Sequence, residues 1–280
     1  MKSEKTYFFL SGLPRSGITL LGAILNQNPD IYVSPTSPVV EFMKDFKYKV
    51  IYEDFLYAAF PKEEFIKKTI SKICNDWYSD IDSPIIIDKN RTWPNRLAEA
   101  EIVTKDIKII CPVRSILDIL SSFILLTRKS TEKENYGNGT ELTIYDRMLI
   151  EGGERVTENN LCHNLMDTAG YGQVRFSLNG LTQLFDENLE LFQNIIHLVE
   201  YEDLISDTKN IMNKIYEFLQ IPNYEHDYDN IKNDIREDDN IYGMPTLHEI
   251  RPTISKSKNN PLEVLDKSII KQYSGLEFWR

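Results

Sequence analysis

The sequence contains few cysteines, and their spacing matches no common metal site or disulfide framework. Three of the 280 residues are cysteine: Cys74, Cys111 and Cys162. An odd number at these spacings is typical of neither a zinc site nor a set of disulfide bonds. We therefore predict three buried, reduced thiols and no bound metal.

Long apolar runs and flexible linkers are also absent. The apolar run from Tyr7 to Leu10 meets Pro14 and Arg15 before it reaches the length of a signal-peptide core. No run is long enough to span a membrane, and no Pro/Gly/Ser-rich stretch divides the chain into two comparable halves. We expect a cytoplasmic protein with no membrane partner, folded as a single domain over residues 1–280.

Positive charge is scarce as well. The sequence has 32 Lys and Arg against 43 Asp and Glu, a net charge of −11. The summed field of such a chain repels polyanions, so we expect no nucleic-acid partner and no sulfated polysaccharide. A small anion can still bind where a few cations and backbone N–H groups converge on one pocket, because diffuse charge is screened.

What is present is an alternation of apolar strands with amphipathic helices. We predict strands at Thr6–Leu10, Pro84–Asp88, Ile107–Cys111 and Ile195–Val199, and helices around Leu20–Leu25, Leu97–Val103, Ile116–Leu126 and Ile211–Leu219. This alternation favours an α/β fold with a central parallel sheet flanked by helices. Ligands of such folds bind at the carboxyl ends of the strands.

Two stretches between the predicted strands read as helical inserts. They span about residues 38–80 and 129–190, and the second contains the polar stretch Lys129–Thr140. Inserts at this edge of an α/β sheet commonly form the wall or lid of a site. Residues 236–260 are predicted to form a loop-rich tail before a last helix near Pro261.

The loop after the first strand is related to a phosphate-binding loop but differs from it at one position. Gly12 and Gly17 have the G-x-x-x-x-G spacing of a Walker A motif, and Ile18 stands where its lysine should follow. A nucleoside-triphosphate enzyme needs that lysine on its phosphates, so a kinase or ATPase is disfavoured. The cation lies inside the loop instead, at Arg15.

The remaining groups of this loop are those of an anion cradle. Glycines let the backbone approach a ligand, Ser16 and Thr19 supply hydroxyls, and a helix begins directly afterwards with its N–H groups exposed. The loop is therefore predicted to bind a short 5′ anion. The alternative is a structural loop with incidental glycines.

A second anion site is predicted after the third strand. Arg114 follows that strand, and Ser122 stands eight residues later on a helix, a little over two turns away. The loop could fold Arg114 back beside Ser122 so that both hold one phosphate. Alternatively, Arg114 pairs with Asp118 on the surface, which contributes little to stability.

These two motifs together resemble those of the sulfotransferases that use 3′-phosphoadenosine 5′-phosphosulfate (PAPS). That family joins P-[KR]-S-G-T-T to a later R-x₇-S, and here the chain reads Pro14-Arg15-Ser16-Gly17-Ile18-Thr19 and Arg114 to Ser122. Tyr201-Glu202-Asp203 is similar to the family's Y-E-D segment. The chain also resembles bacterial-type members of the family in two further segments. These are Gly243-Met244-Pro245 with His248, Arg251 and Lys256, and the ending Tyr273 to Trp279.

The resemblance implies a P-loop NTPase-like sulfotransferase fold and a reaction. The enzyme would move a sulfuryl group from PAPS to a hydroxyl or amine of a small-molecule or peptide acceptor, without a metal. Its cofactor-binding residues would be Pro14, Arg15, Ser16, Gly17, Ile18, Thr19 and Leu20 at the 5′-phosphosulfate, with Arg114, Ser122 and Tyr201 at the adenosine phosphate. The sequence leaves the acceptor and the oligomeric state open.

The same resemblance suggests catalytic residues. Lys89, at the end of the second predicted strand, matches a strand-end lysine that stabilises charge on the leaving phosphate, and Arg15 would share this role. The family's base, a histidine or a glutamate, has no counterpart, because Arg91 stands at the histidine position. Glu41 and Asp88 are the candidate bases, and His163 is a third.

Two other functions are compatible with the loop. A P-loop kinase with a degenerate Walker A motif would need Mg²⁺ and would ignore a 3′-phosphate. A non-catalytic nucleotide-binding or scaffold protein would keep the cradle and lack the base.

Overall fold

A five-stranded parallel sheet forms the centre of the molecule. In this computed structural model, residues 5–130, 150–151, 154–155, 157–167, 169, 172–234, 237–242, 246–255 and 259–280 are described. The strands are β1 (Thr6–Leu10), β2 (Ile31–Thr36), β3 (Ile85–Lys89), β4 (Ile109–Val113), β5 (Ile150–Glu151), β6 (Glu154–Arg155) and β7 (Ile196–Glu200). The sheet order is β2-β3-β1-β4-β7, and β5 pairs with β6 as a separate two-stranded antiparallel sheet.

Helices connect and cover the strands. They are α1 (Ile18–Leu25), α2 (Val39–Tyr48), α3 (Phe55–Ala59), α4 (Glu63–Trp77), α5 (Leu97–Val103), α6 (Ile116–Ser130), α7 (Glu158–Leu165), α8 (Gln173–Glu187), α9 (Leu189–Ile195), α10 (Tyr201–Ser206), α11 (Thr208–Leu219), α12 (Pro261–Val264) and α13 (Lys267–Tyr273). A π-helical turn spans Lys49–Glu53, and 3₁₀ turns span Trp93–Asn95 and Asp239–Tyr242. No helix in the described ranges is long and apolar enough to cross a lipid bilayer.

The two faces of the sheet are buried against different helices. Phe8 and Leu10 of β1 pack into a core layer with α1 and α11, while Phe9 points into the opposite layer with residues of α6 and α8. This alternation follows from the period of two in a strand. Both layers are apolar. Full burial of a large apolar side chain in either layer stabilises the fold by about 1.5–3 kcal/mol relative to leaving that side chain exposed.

The predicted α/β architecture is confirmed, with one strand missed. The β2 strand contains Pro35, which cannot donate to a ladder and so argues against a central strand. In the structure β2 lies at the edge of the sheet, where a proline is tolerated. The β-branched and aromatic run Ile31-Tyr32-Val33 was the available signal for it.

The inserts are mostly helical where the structure describes them. The first contains α2, α3 and α4, and the second contains the end of α6, the β5–β6 pair, α7, the whole of α8 and the start of α9. Most of the polar stretch Lys129–Thr140 lies outside the described residues, as do Gly243-Met244-Pro245 and Lys256. Cys74, Cys111 and Cys162 are buried and free, as predicted.

Strand register places three strand ends side by side. Leu10 of β1 and Thr36 of β2 are both in register with Lys89 of β3. Parallel strands end at the same edge of a sheet, so the loop after β1 begins next to the Lys89 side chain.

Candidate functional site

The loop between β1 and α1 depends on residues with unusual backbone angles. Gly12, Arg15 and Gly17 have φ values of 104°, 61° and 87°. A Cβ at Gly12 would lie 2.2 Å from the carbonyl oxygen of Pro112 in β4, so only glycine fits there. The Leu13 N–H donates to the same carbonyl at 2.9 Å. The loop is thus packed tightly against β4.

Ser16 fixes the shape of this loop through its side chain. Its fully buried hydroxyl contacts the carbonyl oxygens of Leu13 at 2.5 Å and Pro112 at 2.8 Å. We predicted this hydroxyl as an anion ligand from sequence. The structure instead directs it toward the protein interior, so any contribution of Ser16 to anion binding falls to its backbone N–H.

A cavity of about 700 Å³ opens at the carboxyl ends of the strands and brings both predicted anion sites together. Apart from Ser16, every residue predicted to bind the cofactor lines it, as does Lys89. These residues are Pro14, Arg15, Gly17, Ile18, Thr19, Leu20, Arg114, Ser122 and Tyr201. Cations therefore concentrate in one cavity of a chain whose net charge is −11.

The two predicted anion sites are contiguous. Arg15 Nε donates to Ser122 Oγ at 3.2 Å, and Arg15 Nη1 donates to the carbonyl of Leu247 at 2.5 Å. We had assigned Arg15 and Ser122 to opposite ends of the nucleotide. Burial, and secondly the charge of Arg114, lower the pKa of Arg15, as expected for two cations that face the same space.

Arg114 is buried but weakly bonded. Its Nη atoms lie 3.4 Å from the Arg15 carbonyl and from Asp118 Oδ1, and its Nε lies 3.7 Å from Glu202 Oε1 without a hydrogen bond. The guanidinium stacks over the Tyr201 ring with its Cζ 4.3 Å from the centroid. Contacts of this length leave its donors able to bind a further anion, since N–H···O bonds are normally about 2.9–3.0 Å.

Lys89 lies in the cavity with a buried counter-ion. Its Nζ donates to Glu237 Oε1, which also accepts from the N–H and the hydroxyl of Thr36 at 2.9 and 3.0 Å. Burial alone would raise the pKa of Glu237, but the charge and hydrogen bond of Lys89, the charge of His248 and the Thr36 N–H together lower it to about 2. Glu237 therefore stays ionised.

His248 adds an imidazole to the same cavity. Its Nδ1 donates to Asp239 Oδ1 at 2.6 Å, and its backbone N–H donates to Asp239 Oδ2 at 2.9 Å. Its Nε2 lies 3.7 Å from Glu237 Oε2. The two contacts with Asp239 fix the orientation of the imidazole and direct Nε2 toward Glu237.

The base candidates predicted from sequence lie elsewhere. Asp88 is fully buried and accepts hydrogen bonds from the Tyr78 hydroxyl at 2.5 Å and Trp93 Nε1 at 2.8 Å. Burial raises the pKa of its carboxyl group. The strand alternation that points Lys89 into the cavity points its neighbour Asp88 to the opposite face. Asp88 therefore supports the core and cannot reach an acceptor.

Glu41 and His163 are also remote from the cavity. Glu41 lies on α2 and accepts from Lys44 Nζ at 2.7 Å. Neither Glu41 nor His163 is among the residues that line the cavity. His163 Nδ1 lies 2.6 Å from the Tyr273 hydroxyl. Glu41 makes a contact within its own helix and His163 one with α13, both outside the cavity.

Glu237 and Asp239 were missed from sequence, and His248 was noted only as part of a resemblance. The acidic run Glu237-Asp238-Asp239 in a loop-rich tail looks like solvated surface. No periodicity or motif links it to the strand-end lysine. Only the folded tail brings Glu237 to Lys89 and Asp239 to His248.

The rest of the cavity lining is mixed in character. Arg91 Nη1 donates to Gln173 Oε1 at 3.2 Å where α8 begins. Phe123, Leu125 and Leu126 of α6 add apolar surface. A cavity lined by both cations and apolar side chains can hold a polyanionic nucleotide together with a second, less polar molecule.

One comparison with known proteins identifies a family. The chain matches a family model described as the sulfotransferase domain over residues 5–239, as the sequence resemblance predicted. No match was found among curated protein sequences.

The chain is also similar to several solved structures. The sulfotransferase domain from the curacin biosynthetic pathway is 16% identical, with a TM-score of 0.48 over 100% of this chain and 94% of that one. The sulfotransferase domain of the Synechococcus PCC 7002 olefin synthase is 20% identical, with a TM-score of 0.46 over 80% and 77%. A sulfotransferase from Alicyclobacillus acidocaldarius is 13% identical, with a TM-score of 0.46 over 85% and 88%.

Proposed function

The chain belongs to the sulfotransferase domain family, and we propose that it transfers a sulfuryl group from PAPS to a hydroxyl or amine acceptor. The products are the sulfated acceptor and adenosine 3′,5′-bisphosphate. The observation that carries the proposal is the pair of contiguous anion sites in one cavity, built on Arg15 and on Arg114.

The cavity has features that suit PAPS. The weakly bonded Arg114 guanidinium and Ser122 are a site for the 3′-phosphate, with Tyr201 stacked behind them. The glycine-rich loop and the first N–H groups of α1 are a site for the 5′-phosphosulfate. PAPS would supply a sulfuryl group joined to a phosphate that leaves as negative charge builds on it.

Two cations of this chain stabilise that developing charge. Lys89 lies at the end of β3 beside the loop between β1 and α1, where it pairs with Glu237. Arg15 reaches the same cavity from the loop. Positive groups placed where charge appears in the transition state lower the barrier more than they strengthen substrate binding.

His248 is our proposed base in place of Glu41 and Asp88. Its Nε2 would accept the acceptor hydroxyl proton as the acceptor oxygen bonds to sulfur, and Asp239 would stabilise the imidazolium that forms. The proton thus moves to His248, and the electron pair of the broken S–O bond stays with the leaving phosphate.

The proposal is tested by comparing adenosine 3′,5′-bisphosphate with 5′-AMP as ligands in calorimetry. Each charge-assisted hydrogen bond contributes roughly 1.5–3 kcal/mol, so loss of the 3′-phosphate should weaken binding about tenfold to a thousandfold. Arg114→Ala should remove most of this preference and leave 5′-AMP binding nearly unchanged.

Arg128→Ala is the matched control, because Arg128 is exposed and paired with Glu158 outside the cavity. It should behave as wild type. Equal binding of the two nucleotides by the wild-type protein would refute the 3′-phosphate site. Preference for the bisphosphate without any sulfuryl transfer to a panel of hydroxyl and amine acceptors would instead favour a non-catalytic nucleotide-binding protein.

A further inference from the structure

Residues 276–280 form a short segment that packs against the core, and we call it the 276–280 segment. Its Phe278 ring lies against Phe185 of α8, with the ring centroids 5.0 Å apart, and against Phe192 of α9 at 5.9 Å. Trp279 is also partly buried on the same core. These apolar contacts fix the place of the segment in the fold.

The 276–280 segment also contacts the loop between β4 and α6, which carries Arg114. Glu277 Oε1 accepts from the backbone N–H of Ile116 at 2.8 Å. Ile116 is the first residue of α6, and the N–H groups in the first turn of a helix have no partner within that helix. Glu277 therefore caps α6 two residues after Arg114.

Arg280 of the same segment contacts two carboxylates where β7 ends and α10 begins. Its Nε donates to Glu200 Oε2 at 2.8 Å, and its Nη2 donates to Glu202 Oε2 at 3.3 Å. The Nη2 atom also lies 2.6 Å from Glu200 Oε2. A guanidinium has five N–H donors in a fixed plane, so it can hold two carboxylates at once. Arg280 thus bridges Glu200 and Glu202.

The second carboxylate oxygen of Glu202 faces Arg114. Glu202 Oε1 lies 3.7 Å from Arg114 Nε, which is too far for a hydrogen bond. Arg114 Nε is buried and donates to none of the residues that the structure describes. Glu202 therefore lies between two guanidiniums, and it is hydrogen-bonded only to that of Arg280.

This placement affects how readily Arg114 can bind an added anion. A shift of about 1 Å would bring Glu202 into a charge-assisted hydrogen bond with Arg114 Nε. A phosphate would then have to displace a carboxylate of the protein before it could pair with Arg114. The bond from Arg280 opposes that shift. The other carboxylate near Arg114, that of Asp118, is also at a long distance, 3.4 Å.

We infer that Arg280 is a positioning residue for the site proposed for the 3′-phosphate, and that it acts by holding Glu202 back from Arg114. The inference rests on the proposed function, because it takes the 3′-phosphate of the nucleotide as the anion that Arg114 binds. Arg280 is not among the residues that line the cavity, so its effect on the nucleotide passes through Glu202.

Calorimetry with two nucleotides tests the inference. Arg280→Gln should weaken binding of adenosine 3′,5′-bisphosphate about three- to tenfold and leave 5′-AMP binding nearly unchanged, because only the bisphosphate has a group for Arg114. Glu202→Gln alone should bind the bisphosphate at least as tightly as wild type. In the Glu202→Gln background, Arg280→Gln should change the affinity less than about twofold, since the competing carboxylate is gone.

Arg128→Gln is the matched control. It removes the same charge from an exposed arginine that pairs with Glu158 outside the cavity, and it should bind both nucleotides as wild type does. The Tm of Arg280→Gln should lie within about 2 °C of wild type, because partly exposed ion pairs contribute little to stability. Unchanged 5′-AMP binding by Arg280→Gln would show in addition that the cavity is intact.

A crystal structure of ligand-free Arg280→Gln gives a readout that does not depend on the nucleotide. Glu202 Oε1 should move from 3.7 Å to about 2.9 Å from Arg114 Nε. If the wild-type protein binds both nucleotides equally, the proposed 3′-phosphate site is wrong, and this structure still decides whether Arg280 positions Glu202.

Two results would overturn the inference. One is a variant structure in which Glu202 stays at its wild-type distance from Arg114. The other is a loss of bisphosphate affinity on Arg280→Gln that is equally large with and without the Glu202 carboxylate, because a simple loss of positive charge has that additive effect.

Discussion

At the scale of single residues, the charged groups of the cavity take their roles from their neighbours. Lys89 and Glu237 neutralise one another in a buried pair, and breaking such a pair by removing one partner is costly. Arg15 and Arg114 face the same space with like charge. This side-by-side placement of cations is unfavourable in the absence of an anion and favourable with one, which is the electrostatic character of an anion-binding site.

His248 is the residue whose replacement distinguishes catalysis from binding. We expect His248→Asn to lower kcat of sulfuryl transfer by about 10²–10⁴, the usual contribution of a general base, and to change PAPS affinity little. Asp239→Asn should lower kcat less, since the imidazole remains but loses the carboxylate that orients it. Transfer of label from PAPS to any acceptor that the wild-type enzyme uses provides the measurement.

His163→Asn serves as the control, because His163 contacts Tyr273 outside the cavity. Its kcat should equal that of the wild type. If His248→Asn retains full kcat, or if it loses PAPS binding and turnover to the same extent, His248 is not the base.

At the scale of elements, the loop between β1 and α1 illustrates how a strand, a turn and a neighbouring strand define one another. Gly12 has a positive φ and lies against the Pro112 carbonyl, and Ser16 donates to that same oxygen. Pro112 belongs to β4, and its carbonyl oxygen accepts a hydrogen bond from the backbone of the loop that follows β1. The loop is therefore held in shape by β4 before any ligand arrives.

Gly12→Ala should lower Tm strongly and weaken nucleotide binding. The added Cβ would lie 2.2 Å from Pro112 O, and positive φ costs a non-glycine residue about 1–2 kcal/mol in addition. We expect a Tm decrease of about 5–10 °C, at roughly 2–4 °C for each kcal/mol in a chain of this size.

Gly275→Ala is a matched control, because Gly275 also has a positive φ, 76°, and a Cβ there would meet nothing within 4 Å. It should show the backbone cost alone, a Tm decrease of a few degrees. Equal Tm decreases for the two variants would contradict the tight packing of the loop on β4.

At the scale of the whole molecule, Glu237 joins the C-terminal tail to the sheet. It is bonded to Lys89 of β3 and to Thr36 of β2, although it lies far from both in sequence. Two further contacts hold the tail at the cavity: His248 lies beside Glu237, and the carbonyl of Leu247 accepts from Arg15. The tail thus closes one side of the site and ties its stability to ionised groups.

The pH dependence of stability should report this attachment. The Glu237 pKa is lowered to about 2 in the folded protein, against about 4.3 for an unfolded glutamate. The stabilisation is therefore present above about pH 4.3 and is lost as the pH falls through 2. A pKa lowered by about two units corresponds to roughly 3 kcal/mol, so above about pH 5 Glu237→Gln should have a Tm about 6–12 °C below that of wild type. Thermal denaturation from pH 6 to pH 2 should show this difference shrinking toward zero.

Glu64→Gln is the appropriate comparison, since Glu64 is exposed and lies 3.6 Å from Lys67. Its Tm should follow the wild type at every pH. A Glu237→Gln difference that does not change between pH 6 and pH 2 would show that ionisation of Glu237 does not stabilise the fold.

The sequence by itself determined the architecture and most of the anion site. Four of the five strands in the parallel sheet, and the α1, α5, α6 and α11 helices, follow from local apolar periodicity, which is a property of neighbouring residues. The phosphate loop and the Arg114 to Ser122 pair are short motifs whose spacing already fixes their place after a strand. Their convergence in one cavity follows from the common edge at which parallel strands end.

The tertiary structure alone decided which groups lie beside the candidate anion site. Glu237 reaches Lys89 over 148 positions, and Asp239 meets His248 within a tail that has no regular pattern. Asp88, next to Lys89 in sequence, points to the opposite face of the sheet because strand side chains alternate. Long-range pairing of polar side chains depends on how the chain closes on itself, and no local periodicity encodes that closure.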